Sequence, residues 1–509
     1  MLNHKEFCII SITLLSVLFC GQFLKAQPIV HFNQTCSQAY LEASRMRINL
    51  AKTIILEAQK KDKDNKAYDF VLNYTELVNL MVNASKSDFL KFKTAATERI
   101  NTIESIPAES SIRDAIVAEL YFHRAMARLL FSEKIRAAFD LRKAKLLSNA
   151  NRKNHPHFDY NLKLSGLLNL ITGSIPDHLK WAASLASLSG NIEEGIKEIN
   201  KYYRTVKEDT ILNCFYPEAI CLKLATTQTF DPITRAGKIP RSIIFDDFTQ
   251  EEIQKNQLLT FVCADYLMKN NLNEQAIQIL LSRNFDESYI VFSYLDYLTG
   301  IALQNKLDPR AVAYLFKYVL NSTNRNYVKA AYQRIAWHYL INNSTDKYFE
   351  YLQSVNKFGL SNSESDNAAM DEAKSLNPPD INLLKAKLLF DGGYFDRSLD
   401  ALKNFKVVKQ ISENNIEYLY RMARIYDENN EKNTAIKYYQ MVIAQSANKP
   451  WYYAANSYLM LGFMYEIRNE YPLALKYYNE CLILNPNKYK VSIHQKAKAG
   501  KNRVERKIL

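Results

Sequence analysis

Turn-forming residues are scarce in this chain. Glycine supplies 12 and proline 13 of 509 residues, roughly 2.5% each where typical usage is about 7% and 5%. That scarcity argues against turn-rich β architectures and leaves no material for a glycine-rich phosphate loop. The sequence also lacks His-Glu-x-x-His, Gly-x-Ser-x-Gly and Cys-x-x-Cys, so the common hydrolase and thiol signatures have no foothold. Beyond the first segment, no stretch stays apolar for the about 20 residues that a membrane helix needs. Five cysteines follow that segment, Cys36, Cys214, Cys221, Cys263 and Cys481. An odd, scattered set is no disulfide framework in a chain this long. Cys214 and Cys221, seven apart, allow pairing or metal binding, but small buried residues are the commoner reading.

The opening residues have a different character. Lys5 precedes an uncharged run from Phe7 to Phe19, too short to cross a bilayer and suited to a secretory signal. Ala26 stands before a natural cut, so residues 1–26 read as a signal peptide and Gln27 as the mature start. Cys20 raises the alternative of a lipid anchor, against which the bulky Phe19 argues.

The formal net charge is +13, and it gathers at one end. Lys488, Lys490, Lys496, Lys498, Lys501, Arg503, Arg506 and Lys507 oppose only Glu505 there. A basic tail of this kind suits peripheral contact with an anionic envelope surface, or a solvated terminal helix. It does not suit a nucleic-acid-binding face, so no nucleic-acid partner is expected.

What the chain does hold is a repeat. Helix pairs that recur about every 34 residues need small residues where two helices cross and large ones beside the crossing. From Ala455 to Lys488 the sequence meets this with Tyr458, Leu461, Gly462, Tyr465, Ala474, Tyr478, Cys481 and Pro486. From Ile416 it does so again with Leu419, Met422, Ala423, Tyr426, Ala435, Tyr439 and Val442. Looser units start near 379, 329, 292 and 257, and one more near 118–151 carries Tyr121, Ala125, Ala137, Leu141 and Ala144. The 329 unit departs at Tyr348, where a small residue is expected. It is also followed by the one long spacing, which coincides with the polar stretch Ser361–Asn367 and reads as an inserted loop over 361–378. The expected organisation is a helical block over 27–226, a linker loop over 227–250 holding Pro232, Gly237 and Pro240, an array over 251–488, and a basic capping helix over 489–509. The fold class is all-α, a tetratricopeptide-like α-solenoid of antiparallel helix pairs.

Several segments carry a closer resemblance. Ser165–Leu170 with Gly173–Pro176, Trp181, Leu188, Gly190, Glu194 and Gly195 resembles the tetratricopeptide family that includes a mitochondrial outer-membrane protein of inclusion-body clearance. Phe390–Tyr394, Tyr420–Tyr426 and Lys496–Gly500 resemble exported tetratricopeptide proteins of Gram-negative bacteria. The resemblance implies a periplasmic or outer-membrane-associated scaffold without shared catalytic residues.

Candidate chemistry is thin. His155-Pro-His157 with Asp159 is the nearest approach to a metal constellation but lacks a third ligand at motif spacing. Glu193-Glu194 and Glu251-Glu252 follow Asn191 and Thr249, where carboxylates favour helix N-termini over acid–base work. No cofactor and no enzymatic activity are expected. Binding is the stronger expectation: the inner-helix offsets that line a solenoid groove fall on Trp337, Lys387, Phe390, Tyr420, Arg424, Asp427 and Phe463. Aromatics beside Arg and Lys are the types that anchor peptides. The set lacks the Lys, Asn and Arg pattern of chaperone-tail receptors. A protein or peptide partner is therefore expected in the groove; the alternative is a glycan-binding component of an outer-membrane uptake system.

Overall fold

In the computed structural model, residues 28–508 are described apart from 108–109, 176–179, 210–211, 231–247, 324, 362 and 376. The signal segment 1–26 and most of the expected linker lie outside the described residues. Among those described the chain is α-helical, with a single isolated bridge between Ile29 and Asn65 in place of any strand. None of the described helices is long and apolar enough to cross a membrane. Two compact units result: the first spans residues up to Asn191 except 44–46 and 79–85, and the second takes those short stretches with Ile192–Leu509. The division thus falls at 191, ahead of the linker expected at 227–250, and helix Tyr216–Phe230 runs four residues into that linker.

The first unit contains α1 (Gln34–Ser44) but for its last residue, α2 (Ile48–Lys61), α3 (Ala67–Asn83) as far as Val78, α4 (Lys86–Glu104), α5 (Ser111–Leu130), α6 (Lys134–Asn154), α7 (Asn161–Gly173) and α8 (Lys180–Leu185). The unit expected near 118 is the pair α5/α6: Ala125, Ala137 and Ala144 are fully buried at its crossing, which lets the backbones approach. Arg124 and Arg128 both reach Asp140 across that pair. Deeper in the core, Tyr40 stacks on Tyr74 with centroids 4.1 Å apart. Lys163 Nζ meets Glu119 Oε2 at 3.0 Å, with both side chains at most 4% exposed.

The second unit continues with α9 (Ile192–Glu208), α10 (Tyr216–Phe230), α11 (Gln250–Gln254), α12 (Gln257–Lys269), α13 (Asn273–Ser282), α14 (Tyr294–Asn305), α15 (Ala311–Asn321), α16 (Val328–Ile341), α17 (Thr345–Lys357), α18 (Glu364–Ser375), α19 (Ile381–Asp391), α20 (Phe395–Lys403), α21 (Glu413–Glu428), α22 (Lys432–Ser446), α23 (Tyr452–Ile467), α24 (Tyr471–Ile483) and α25 (Lys490–Ile508). The inner helices start within three residues of the expected repeat starts. Thr249 and Glu252 form a reciprocal capping box on α11, the helix-start role expected of that acidic pair. The crossing residues Ala264, Ala336, Ala386 and Ala423 are all fully buried. Glycine replaces alanine where the approach is closest: a Cβ on Gly462 would lie 2.5 Å from the Tyr478 ring, and one on Gly300 would lie 2.7 Å from Leu315.

A feature that composition did not signal recurs at the hairpins. Asn271, Leu307, Asn343, Gly393, Asn430 and Asn469 each take positive φ at the turn inside a helix pair, a conformation that asparagine and glycine tolerate best. One left-handed residue reverses the chain within each pair, so few glycines suffice for many turns.

The expected inserted loop is instead the helix α18. Its sequence is polar, but Ala369 and Ala373 are buried, and Met370 packs against the core of α16 and α17. Asp366, fully buried, accepts the Tyr327 and Ala330 amides at 3.0 and 3.2 Å and so caps α16 from outside. Tyr348 explains the departure at this unit: it is fully buried opposite Ala336, and its hydroxyl donates to Glu372 Oε1 of α18 at 3.0 Å. The pair admits a large residue because a third helix covers it.

The expected capping helix is α25. It buries Ile493, Ala497, Gly500 and Val504, and Arg503 forms two 2.8 Å bonds to Glu466, which also accepts the Tyr478 hydroxyl. Gly500 lies against the same ring as Gly462, and a Cβ there would also collide with Tyr478. The ring is thus clasped between α23 and α25.

Candidate functional site

Neighbouring inner helices α19, α21 and α23 pack side by side and enclose a cleft of about 200 Å³ lined by Lys387, Phe390, Asp391, Tyr420, Arg421, Arg424, Tyr452, Asn456 and Tyr489. Four of the seven expected residues, Lys387, Phe390, Tyr420 and Arg424, come together there. Trp337 stands beside them, with the Lys387 ammonium 5.6 Å from its ring. Its indole N–H, however, is taken by Glu372 at 2.9 Å, so α18 already occupies this stretch of the inner face.

Asp427 and Phe463 are not in the cleft. Asp427 accepts from Lys432 at 2.7 Å and from the Tyr439 hydroxyl at 3.3 Å, ties within its own helix pair. Phe463 packs edge-on to Tyr478 and against the core that the capping helix completes. One offset thus lines the cleft at Lys387 and Arg424 and packs under the capping helix at Phe463. From α23 it is Tyr452 and Asn456, one turn apart at its start, that line the cleft in place of Phe463. Their spacing of four was the available signal. Tyr489, just before α25, carried none.

The charges in the cleft are ordered. Lys387 pairs with Asp391 at 2.5 Å; burial raises the Asp391 carboxyl, but Lys387 and the nearby arginines more than offset this and hold it below its usual range. Arg421 donates from Nε to Glu417 Oε1 at 2.8 Å while the Tyr453 hydroxyl donates to Glu417 Oε2 at 2.9 Å. Burial opposes ionisation of Glu417 and Arg421 outweighs it, again leaving a lowered carboxyl. Arg424 differs: its guanidinium lies 4.7 Å from the Phe390 centroid and donates to the Tyr420 hydroxyl at 3.0 Å. Among the described residues it makes no ion pair. Asn456 Nδ2 also donates to that hydroxyl, so Tyr420 accepts twice and keeps its own proton for a further acceptor.

No group of three His, Cys, Asp or Glu side chains among the described residues is placed to hold a metal, and His157 is exposed on a loop. All five cysteines after residue 27 are buried.

No protein-family model matches the chain, and no curated protein matches it. Solved structures do align. The tetratricopeptide domain of P58(IPK) aligns at 14% identity over 86% of this chain and 98% of that one, with a TM-score of 0.22. Cut9 with Hcn1 of the anaphase-promoting complex gives 13% identity over 90% and 96%, with a TM-score of 0.25. A monomeric IFIT1 mutant with Gppp-AAAA gives 14% identity over 94% and 98%, with a TM-score of 0.29. At such scores nothing about function transfers.

Proposed function

We propose that this chain is an exported helical-repeat scaffold that holds a protein or peptide segment in the α19–α21–α23 cleft, in the periplasm or at the outer membrane of a Gram-negative envelope. The observation that carries the reading is Arg424: a guanidinium stacked on an aromatic wall and, among the described residues, outside any direct ion pair, in a cleft whose other cations are paired. Arginine with aromatic neighbours in a recess is the usual make-up of a binding hot spot. The candidate leader, the absence of catalytic motifs and the resemblance to exported repeat proteins support the location and the non-enzymatic role. Crosslinking in the native envelope tests it: Lys387→Glu with Arg424→Glu should remove specific crosslinked partners while circular dichroism and melting stay unchanged. An identical crosslink pattern from a folded double variant would sink the assignment.

A further inference from the structure

We infer that the α20–α21 connection, residues 404–412, is a docking loop for an anionic lipid bilayer, with Val407, Val408 and Ile411 entering the acyl region and Lys406 and Lys409 staying at the headgroups; this goes beyond the cleft reading and does not rest on it. The three aliphatic side chains are 54–60% exposed, yet the backbone that carries them is fixed. The buried Asn415 side chain accepts from the Val408 amide at 3.3 Å and donates to the Val408 and Gln410 carbonyls at 2.6 and 2.9 Å. At the root of the loop Phe405 stacks on Tyr418, with centroids 5.5 Å apart. The fold thus holds three apolar side chains out in water, which is unfavourable until something covers them.

The surroundings say what that is. Successive helices alternate in direction, so the α20–α21, α22–α23 and α24–α25 connections share one edge of the array and the hairpins of the three pairs share the other. The Asn487 amide donates to the Pro450 carbonyl at 2.8 Å and ties two of the connections together. Ile483 and Val491 add exposed aliphatics to the first edge, while the second has Ile467 as its one exposed large apolar side chain among the described residues. The charges differ in the same sense. In or within one turn of the connections, Lys403, Lys406, Lys409, Lys449, Lys488 and Lys490 stand against Asp400, Glu413 and Glu480. Glu364 and Asp380, which reach this edge through Ser492 and through Asn382 beside Asn404, bring its carboxylates to five. In or within one turn of the hairpins, Arg397, Lys432 and Arg468 face seven carboxylates from Asp391 to Glu470. An anionic surface is therefore admitted at the first edge and repelled at the second. Composition selects lipid over protein: hot spots for protein binding favour Trp, Tyr and Arg, with Val under-represented and Lys depleted. Val, Ile and Lys on one short loop instead pair acyl-seeking side chains with cations whose long stems reach back to phosphate. The basic tail expected for envelope contact is partly engaged within the protein, Arg503 with Glu466, Arg506 with Glu193 and Lys501 with Glu505.

Cosedimentation of the purified protein with vesicles tests this. Phosphatidylethanolamine vesicles containing phosphatidylglycerol should bind it, and phosphatidylcholine vesicles should do so about fivefold more weakly or less. Val407→Ser with Val408→Ser and Ile411→Ser, all at exposed positions, should weaken binding by about tenfold or more. Lys406→Gln with Lys409→Gln should weaken it roughly tenfold. Lys501→Gln with Lys507→Gln in α25 should leave most of it, and Lys387→Glu with Arg424→Glu should leave it unchanged, so that this inference and the cleft reading fail separately. A nitrobenzoxadiazole label on Val408→Cys should shift to the blue on vesicles, whereas one on Arg468→Cys at the hairpin edge should not. The chain's own cysteines after residue 27 are buried, which leaves the introduced thiol to react first. No vesicle binding, binding that survives the triple serine variant, or a shift at Arg468→Cys alone overturns the inference. So does a Val408→Cys label that ignores vesicles but shifts with envelope protein, which would assign the loop to a protein partner.

Discussion

In the first unit, Lys163, Glu119 and His123 lie in the core at no more than 4% exposure; in the second, comparable depth is filled by Tyr318, Tyr439 and Tyr478 packed on alanine and glycine. At that depth the first core places a charged pair and a neutral imidazole, and the second places tyrosine rings fitted to small residues, with the Tyr439 and Tyr478 hydroxyls reaching Asp427 and Glu466. Polar partners demand every contact at once, since a buried charge that loses its counter-ion keeps its desolvation cost. Shape is more forgiving at most positions, but not where a ring has no room to move.

The largest effect should therefore come from the first unit. Lys163→Met takes the ammonium away from Glu119 and should cost about 3–5 kcal/mol, read as loss of hydrogen-exchange protection in α1, α5 and α7. Adding Glu119→Leu should restore much of it. If Lys163→Met costs under about 1 kcal/mol, the ion pair is not what organises this core.

Acid should separate the units in sign. Burial, with the Lys163 charge beside it, lowers His123 from 6.5 to about 3. Arg99 fixes the Asn73 amide so that its NH₂ donates to His123 Nδ1 at 3.1 Å, which suits the neutral ring. A lowered histidine binds its proton more readily when unfolded, so this stabilisation is present above 6.5 and is lost as pH falls toward 3. Glu372 does the reverse. Burial raises it above 4.5 despite hydrogen bonds from Trp337, Gln333 and Tyr348, so its protonation on acidification favours the folded state. Hydrogen exchange from pH 7 to 5 should show α3 and α5 losing protection more steeply than in His123→Gln. Over the same range α16–α18 should hold up better than in Glu372→Gln. Matching slopes in wild type and variants would remove the contrast.

Smaller effects test the shape-filled core. Gly500→Ala or Gly462→Ala forces a methyl against the clasped Tyr478 ring and should cost about 1–3 kcal/mol, seen as earlier melting of α23–α25. The smallest expected effect is a gain: Ser132, exposed at φ 63 in the α5/α6 turn, should as Ser132→Gly stabilise the first unit by roughly 0.5–1 kcal/mol.

The helix pairs were legible because crossing geometry restricts residue size, and Ala423, Ala435, Gly462 and Ala474 bear that restriction in the sequence itself. Helix α18 was not, because a short helix whose apolar face is mostly alanine has the composition of a loop; the buried Asp366 cap that holds it depends on a partner over thirty residues away. Four of the nine residues that line the cleft could be read from repeat offsets: Lys387, Phe390, Tyr420 and Arg424. The rest depends on packing between repeats and on the capping helix, which covers Phe463 and leaves the start of α23, with Tyr452 and Asn456, to line the cleft.

The buried cysteines have a practical corollary. Burial pushes the Cys263 and Cys481 thiols up to about 12, so a thiol reagent in solution reacts with them only when their helices open. Cys36 lies in the first unit, Cys263 near the start of the array and Cys481 in its last pair. The unmodified chain therefore carries its own set of clocks: the labelling rate at each position times the opening of that part of the protein, with no engineered probe.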